Sequence, residues 1–216
     1  MRRLRPGVAA VNDTIAPYRD DWERENAAGL DGHGPLWLVL GDSTAQGIGA
    51  SAPQRGYVGQ VRRLLEARNG RPWRVLNVSV SGARLRDVAG EQLPRLDGLS
   101  GPPALVTCAA GSNDVVWPRR TARLCADLRR VVERLPCGAV IATIPKGLNP
   151  KRTAVLNDDL RTLAPAYGLV VADVWAHTGP PWGRKVAVDH FHPNERGYED
   201  WTAAFAEALG LPADAG

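Results

Sequence analysis

Two short segments of this chain carry side chains suited to nucleophilic catalysis. Gly41-Asp42-Ser43-Thr44 presents a serine hydroxyl, and Asp189-His190-Phe191-His192-Pro193 presents an imidazole three residues after a carboxylate. A serine hydroxyl is a poor nucleophile at neutral pH and needs an adjacent base to accept its proton. Asp189 is close enough along the chain to hold one ring nitrogen of His192 while the other faces outward. The residue types therefore predict Ser43 as nucleophile, His192 as base and Asp189 as its orienting carboxylate.

Two further segments offer hydrogen-bond donors to a developing anion. Ser81-Gly82-Ala83 contains a glycine, whose backbone N–H can approach a ligand closely, and Gly111-Ser112-Asn113-Asp114 contains an amide side chain. With the N–H of Ser43, these donors are expected to converge on the oxyanion of a tetrahedral intermediate. Each segment alone is ordinary, since a serine after a strand is usually a helix cap. The prediction of an oxyanion hole from Ser43, Gly82 and Asn113 depends on all the segments occurring together.

The elements between these segments place all of them at one edge of a sheet. Continuous apolar runs predict buried strands, and stripes of helical spacing separate them. The predicted strands cover residues 36–40, 73–80, 104–110, 139–144 and 169–173. The helical stripes fall near 57–65, 85–96 (where Pro94 is expected to end or bend the helix), 124–135, 156–164 and 194–209. This alternation predicts a parallel α/β/α sandwich, whose active crevice lies beyond the carboxyl ends of the strands.

The four segments together resemble the SGNH hydrolase superfamily, also called the GDSL lipases and esterases. The matching blocks are Gly41-Asp42-Ser43, residues 77–82, Gly111-Ser112-Asn113-Asp114 and Asp189 with His192. Thr44 replaces the family's leucine at a position with no catalytic atom, and Ser79 stands where a glycine is common. The resemblance spans residues 36 to about 209.

This resemblance implies a fold, an activity and a set of site residues. The fold is a flavodoxin-like, five-stranded parallel sheet in the order 2-1-3-4-5. The activity is hydrolysis of carboxylic (acyl) esters through an acyl-enzyme, with a Ser43–His192–Asp189 triad. The oxyanion hole is formed by Ser43, Gly82 and Asn113. No cofactor and no metal is expected.

Length and composition are consistent with one catalytic domain and exclude several other classes. The 216 residues predict a domain over 35–216 and an N-terminal extension over 1–34, which packs on the domain or stays partly loose. The charge of +4 comes from scattered arginines, so no nucleic-acid partner is expected. No run reaches the roughly 20 apolar residues of a membrane helix, and no apolar stretch follows the basic start. A soluble, cytoplasmic protein is therefore expected, and no feature indicates its oligomeric state.

The three cysteines indicate thiol rather than disulfide chemistry. Cys108, Cys125 and Cys137 are odd in number and lack a C-x-x-C spacing. We expect buried free thiols in a reducing compartment. Cys108, in an apolar run, is an alternative nucleophile that the sequence disfavours.

Three other readings compete with the hydrolase. The segment 47–52 (GIGASA) matches a dinucleotide-type G-x-G-x-x-A, but it begins several residues after the strand and lacks an acidic partner after strand two. His190 and His192 with Asp173 or Asp189 resemble a metal site, although a turn would separate the two imidazoles. A binding module that lost turnover is the non-enzymatic alternative.

The substrate is less closely defined than the chemistry. Trp117, Trp175, Trp182 and Pro180-Pro181 lie in segments expected near the crevice, where they either line an apolar acyl pocket or anchor their own loops. The Gly/Pro-rich stretch 174–188 is expected to act as a lid or rim. A small-molecule or lipid acyl ester is expected, and short-chain or aryl esters, lysophospholipids, acyl thioesters and acetylated sugars all remain open.

Overall fold

Five apolar segments pair into one parallel sheet in the computed structural model, which describes residues 6–117 and 120–212. The strand order is β2-β1-β3-β4-β5, which confirms the predicted topology. Residues 37–41 of β1 are all buried, as expected of a central strand covered on both faces. The strands are β1 Leu36–Gly41, β2 Arg74–Asn77, β3 Leu105–Ala109, β4 Val140–Ala142 and β5 Val170–Ala172.

The observed strands are shorter than the apolar runs that predicted them. The β2–β1 register pairs Trp37 with Val75 and ends at Asn77. Beyond that point, the N–H of Val78 still donates to Val39 O (3.0 Å) and that of Val80 donates to Gly41 O (3.2 Å). The chain after β2 therefore follows β1 as far as the predicted nucleophile turn.

Helices cover both faces of the sheet. One face packs against α2, α3 and α9, and the other packs against the α4 region, α6 and α7. The helices are α1 Pro6–Asn12, α2 Ile15–Asp31, α3 Tyr57–Asn69, α4 Leu85–Asp87, α5 Ser112–Val116, α6 Thr121–Arg134, α7 Pro150–Ala166, α8 Val174–His177 and α9 Glu195–Ala208. The helix α9 begins after Asn194, whose side chain accepts from Gly197 N, as predicted.

The stripe over 85–96, predicted as a helix that Pro94 ends or bends, folds as three short helical turns of different type. After α4 the chain forms a π-helical turn, Val88–Gln92, and then a 3₁₀ helix, Leu93–Gly98, which contains Pro94. Proline has no N–H to donate, and the change of helix type falls immediately before it. The turn places Gln92 in the interior beneath the end of β1.

The N-terminal helices pack on the sheet and on the chain that follows β1. Tyr18 Oη donates to Ala50 O (2.7 Å), and Trp22 Nε1 donates to Gln46 O (3.0 Å). The Asn26 side chain bonds both backbone groups of Asn77 (2.7 and 2.8 Å). Residues 6–31 of the extension therefore pack on the domain, which is one of the two behaviours expected for it. Residues 1–5 lie outside the described part of the chain. The domain boundary at 34/35 stays a prediction.

The cysteines are free, but they are not all buried. Cys108 is buried in β3, Cys125 is partly exposed and Cys137 is exposed. The expectation of burial was wrong for Cys137 because this residue lies in the surface turn between α6 and β4. Over the described residues, no helix is long and apolar enough to span a bilayer.

Candidate active site

The turn after β1 is held from below by a glutamine. Gln92 Oε1 accepts from Gly41 N and its Nε2 donates to Gly41 O, both at 2.8 Å. Asp42 Oδ1 accepts from the backbone N–H (3.0 Å) and the hydroxyl (2.8 Å) of Thr44. These bonds fix Gly41, Asp42 and Thr44, the residues that flank Ser43. Ser43 itself is 6% exposed, at the floor of a cavity.

The structure brings Ser43, His192 and Asp189 into one hydrogen-bonded chain. Ser43 Oγ lies 3.0 Å from His192 Nε2, and His192 Nδ1 lies 2.6 Å from Asp189 Oδ2. Asp189 Oδ1 also accepts from the backbone N–H groups of Phe191 (3.0 Å) and His192 (3.1 Å). Burial alone would raise the pKa of Asp189, but these bonds, led by that from the His192 ring, hold it below its usual value. Asp189 is therefore an ionised acceptor.

The loop that carries His192 is a tight turn rather than a strand. Ala187 N donates to His192 O (2.8 Å), and His190 adopts a positive φ of 58°. His190 is exposed and lines the cavity rim, as the turn predicted from sequence requires. The two imidazoles therefore lie in one turn but in different environments. His190 is at the cavity rim, whereas His192 bonds Ser43 and Asp189.

The G-x-G pattern after Ser43 has a packing explanation. Gly49 has a φ of 100°, and a Cβ there would lie 2.3 Å from Pro193 O and 2.8 Å from His192 Cβ. A larger residue would displace the loop that carries the imidazole. The glycine thus allows two loops of the site to approach closely, and the pattern needs no bound dinucleotide.

The three predicted oxyanion donors belong to neighbouring loops at the same edge. Asn113 Nδ2 donates to Ala83 O (3.0 Å) and makes a longer bond to Asp42 Oδ2 (3.4 Å). Asn113 thus bridges the loop of Ser43 and the loop of Gly82. Gly82 has a φ of 83°, and nothing lies within 4 Å of where its Cβ would be, so the space on that side of the residue is open.

The alternative nucleophile, Cys108, is unsuited to the role. Burial raises the pKa of its thiol to about 12. A thiol nucleophile acts as the thiolate, which such a pKa disfavours strongly at neutral pH.

A cavity of about 430 Å³ opens beside Ser43 and His192. Its walls include a half-buried ion pair, with Lys185 Nζ 2.7 and 2.9 Å from the Asp200 oxygens. The larger apolar side chains of the lining are Pro145, Leu148, Trp182, Val186, Phe191, Pro193 and Trp201.

The aromatic residues predicted for this pocket are only partly the ones found there. Of the predicted tryptophans, Trp182 lines the cavity, whereas Trp117 and Trp175 are not among its lining residues. Trp201 was expected only to pack inward from α9, and it does both. The segment 174–188 supplies one wall of the cavity, and its movement as a lid stays a prediction.

Sequence reasoning missed two glutamines that support the site. Gln92 holds Gly41, as described above. Gln46 Nε2 donates to Ser79 O (3.0 Å), and its Oε1 accepts from Ser81 Oγ (2.5 Å). Nothing in the local sequence distinguishes either glutamine from a surface residue, because their partners lie far away along the chain.

The fold and the site geometry together define a class of protein. A flavodoxin-like sheet with a Ser–His–Asp chain at its carboxyl edge is the arrangement of a serine ester hydrolase. Residues 39–199 match the model of the GDSL-like Lipase/Acylhydrolase family, and the chain belongs to this family. The resemblance found in the sequence is thereby confirmed, and the protein is an acyl ester hydrolase.

This chain superposes on nearly the whole length of several solved structures that share its fold. TesA superposes with a TM-score of 0.67 at 21% identity, over 81% of this chain and 97% of that one. LAE5, an alpha/beta hydrolase from the metagenome of Lake Arreo, Spain, gives 0.64 at 25%, over 83% and 96%. Axe2, an acetylxylan esterase from Geobacillus stearothermophilus, gives 0.64 at 22%, over 85% and 98%. No curated protein sequence matches the chain significantly.

Proposed function

We propose that Ser43 is the nucleophile of this ester hydrolase, with His192 as its base and Asp189 as the orienting carboxylate. The observation that carries the proposal is the unbroken chain from Ser43 Oγ through His192 to Asp189, with links of 3.0 and 2.6 Å. Both distances are within hydrogen-bond reach, which is the geometric requirement for an activated serine.

In this mechanism each proton has a defined donor and acceptor. His192 Nε2 takes the Ser43 proton as Oγ bonds to the ester carbonyl carbon, and Asp189 stabilises the resulting imidazolium. Collapse of the tetrahedral intermediate breaks the bond to the alcohol oxygen, which receives that proton. A water molecule then attacks the acyl-enzyme by the same route, which releases the carboxylic acid and regenerates free Ser43.

The oxyanion is proposed to bind the N–H groups of Ser43 and Gly82 and the amide of Asn113. Both bonds of the Asn113 amide have internal acceptors, at 3.0 Å on Ala83 and 3.4 Å on Asp42. The longer bond is the weaker one and is proposed to yield to the oxyanion as negative charge develops.

The acyl group is proposed to enter the 430 Å³ cavity beside Ser43. Its volume is about three times the ~150 Å³ of an apolar cavity that binds benzene, and its walls are mainly apolar. A small-molecule or lipid ester with an acyl chain longer than acetyl fits this space. We place the enzyme in the cytoplasm, since its three cysteines are free and a reducing compartment preserves thiols.

A matched pair of serine variants tests the nucleophile. Ser43→Ala is expected to lower kcat by a factor on the order of 10⁴ or more, with folding intact. Ser51→Ala is the control, because Ser51 lies in the same segment but is exposed and bonds Glu195. Near-normal hydrolysis by Ser43→Ala would remove the proposal.

A chain-length series tests the use of the cavity. With a constant alcohol, kcat/KM is expected to rise about fourfold for each added acyl CH₂ until the cavity is filled, because each buried CH₂ contributes about 0.8 kcal/mol. A maximum of kcat/KM at the acetyl ester would instead assign acetyl esters as the substrate class.

A further inference from the structure

Exposed apolar side chains are concentrated at the active-site end of the molecule. Within residues 6–117 and 120–212, ten large apolar side chains are exposed, and six of them come from segments that follow the carboxyl ends of strands. The six are Val80, Val116, Trp117, Trp182, Val188 and Phe191. Single exposed apolar residues are ordinary, but a concentration at one end is typical of an interaction surface.

Two of the six line the catalytic cavity, and others are close along the chain to the predicted oxyanion donors. The N–H of Val80 bonds Gly41 O, two residues before Ser43. The Phe191 ring meets the His192 ring edge-on, with centroids 5.0 Å apart, and Phe191 and Trp182 both line the cavity. Trp117 follows α5, which starts one residue before Asn113, and it is 57% exposed.

The loops around this surface carry positive charge. Residues 143–152 after β4 and residues 174–188 after β5 contain no Asp or Glu. They contain five cations, of which Lys185 is paired with Asp200, while Lys151 and Arg184 are exposed. In the loop after β2, Arg84 and Arg86 are balanced by Asp87 and Glu91. The side of the cavity entrance formed by the later loops is therefore basic.

We propose that this end of the molecule docks on an anionic lipid surface, with Trp117, Trp182 and Phe191 at the headgroup level. Aromatic rings favour the boundary between headgroups and acyl chains, and basic residues beside them are attracted to anionic lipid. A docked molecule would present the cavity entrance directly to acyl chains in the lipid. A second copy of the chain is a poorer occupant, because its basic loops would face those of the first.

Vesicle co-sedimentation tests docking without using catalysis. The protein carries Ser43→Ala to prevent hydrolysis, which also separates this test from that of the nucleophile. Binding is expected to vesicles of phosphatidylcholine mixed with an equal amount of phosphatidylglycerol, to be weaker on phosphatidylcholine alone, and to fall with added salt. Equal, weak sedimentation with both vesicles would overturn the proposal.

Matched variants locate the docking surface. Trp117→Ser is expected to weaken binding on the order of tenfold, whereas Leu30→Ser, at the other end of the sheet and 55% exposed, leaves it unchanged. Removing charge with Lys151→Gln and Arg184→Gln is expected to cost about fivefold for each residue. The control for charge is Arg71→Gln with Arg129→Gln, both exposed, the first in the turn between α3 and β2 and the second on α6.

Two results would contradict the assignment. Equal losses in the control variants would mean that net charge or general apolarity causes the binding. A concentration-dependent dimer that Trp117→Ser dissociates, with vesicle binding unchanged, would make the surface a contact between copies of the chain. Hydrolysis of a water-soluble short-chain ester by the Trp117→Ser variant with native Ser43 reports on folding throughout.

Discussion

At the scale of residues, the chemical types of the side chains were enough to predict the candidate triad. The contacts that these side chains make could not be predicted in the same way. A serine after a strand and an Asp–His pair three residues apart indicate a nucleophile and its base, because few side chains perform those roles. The sequence could not predict that Asn113 makes internal bonds, because its partners Asp42 and Ala83 lie far away along the chain. Bonds between distant loops are set by the tertiary fold.

The lowered pKa of Asp189 predicts how its contribution to stability depends on pH. The folded value lies below the roughly 3.9 of an unfolded aspartate, so the ionised carboxylate stabilises the fold above that pH. The contribution is lost as the pH falls through the folded pKa. Urea denaturation should therefore show a gap in unfolding free energy between wild type and Asp189→Asn that narrows below about pH 4. A gap that widens on acidification would contradict the assigned shift.

At the scale of elements, the sequence predicted all five strands and missed the π-helical turn. Long apolar runs identify strands, because both faces of a parallel sheet are buried. Their ends were placed too far out because the chain after β2 stays apolar and hydrogen-bonded to β1 beyond the last paired residue. The turn Val88–Gln92 differs from an α-helix only in which carbonyl each N–H reaches, a choice that the apolar spacing does not encode.

The glutamine in this turn is predicted to position the nucleophile. Gln92 is 4% exposed, and its amide bonds both backbone groups of Gly41. Gln92→Ala should lower the free energy of unfolding by about 1–3 kcal/mol, because it leaves buried polar groups unsatisfied. It should also lower kcat more than it changes KM, since the turn that carries Ser43 loses its support.

The neighbouring Glu91→Ala is the matched control, because Glu91 is exposed on the same turn. Denaturation and steady-state kinetics check both variants. A Gln92→Ala variant with lower stability and unchanged kcat would show that Gln92 supports the fold alone.

At the scale of the whole molecule, two large apolar cores lie on opposite faces of the sheet, and α2 completes one of them. Trp22 belongs to the core shared with α3 and α9, at 2% exposure. The sequence left open whether residues 1–34 pack on the domain or stay partly loose, because the segment is polar and only weakly periodic. Tyr18, Trp22 and Asn26 bond to backbone groups of other segments, which no pattern within the helix reveals.

Removing the Trp22 side chain should therefore lower the stability of the whole domain and not only that of α2. Trp22→Ala is expected to cost about 3–5 kcal/mol of unfolding free energy, as for other buried tryptophans. Because Trp22 Nε1 bonds Gln46 O, three residues after Ser43, ester hydrolysis should lose activity at a lower temperature as well. Glu23→Ala is the exposed control. Native-like stability of Trp22→Ala would mean that the helix is dispensable.

The most direct test of the central claim is covalent labelling with a fluorophosphonate, followed by peptide mass spectrometry. An activated serine attacks the phosphorus, so the account predicts one adduct per chain, on Ser43, with parallel loss of ester hydrolysis. His192→Ala should label far more slowly, because its serine lacks a base. Full inactivation with the adduct on any residue other than Ser43, or persistent hydrolysis by fully labelled protein, would contradict the account.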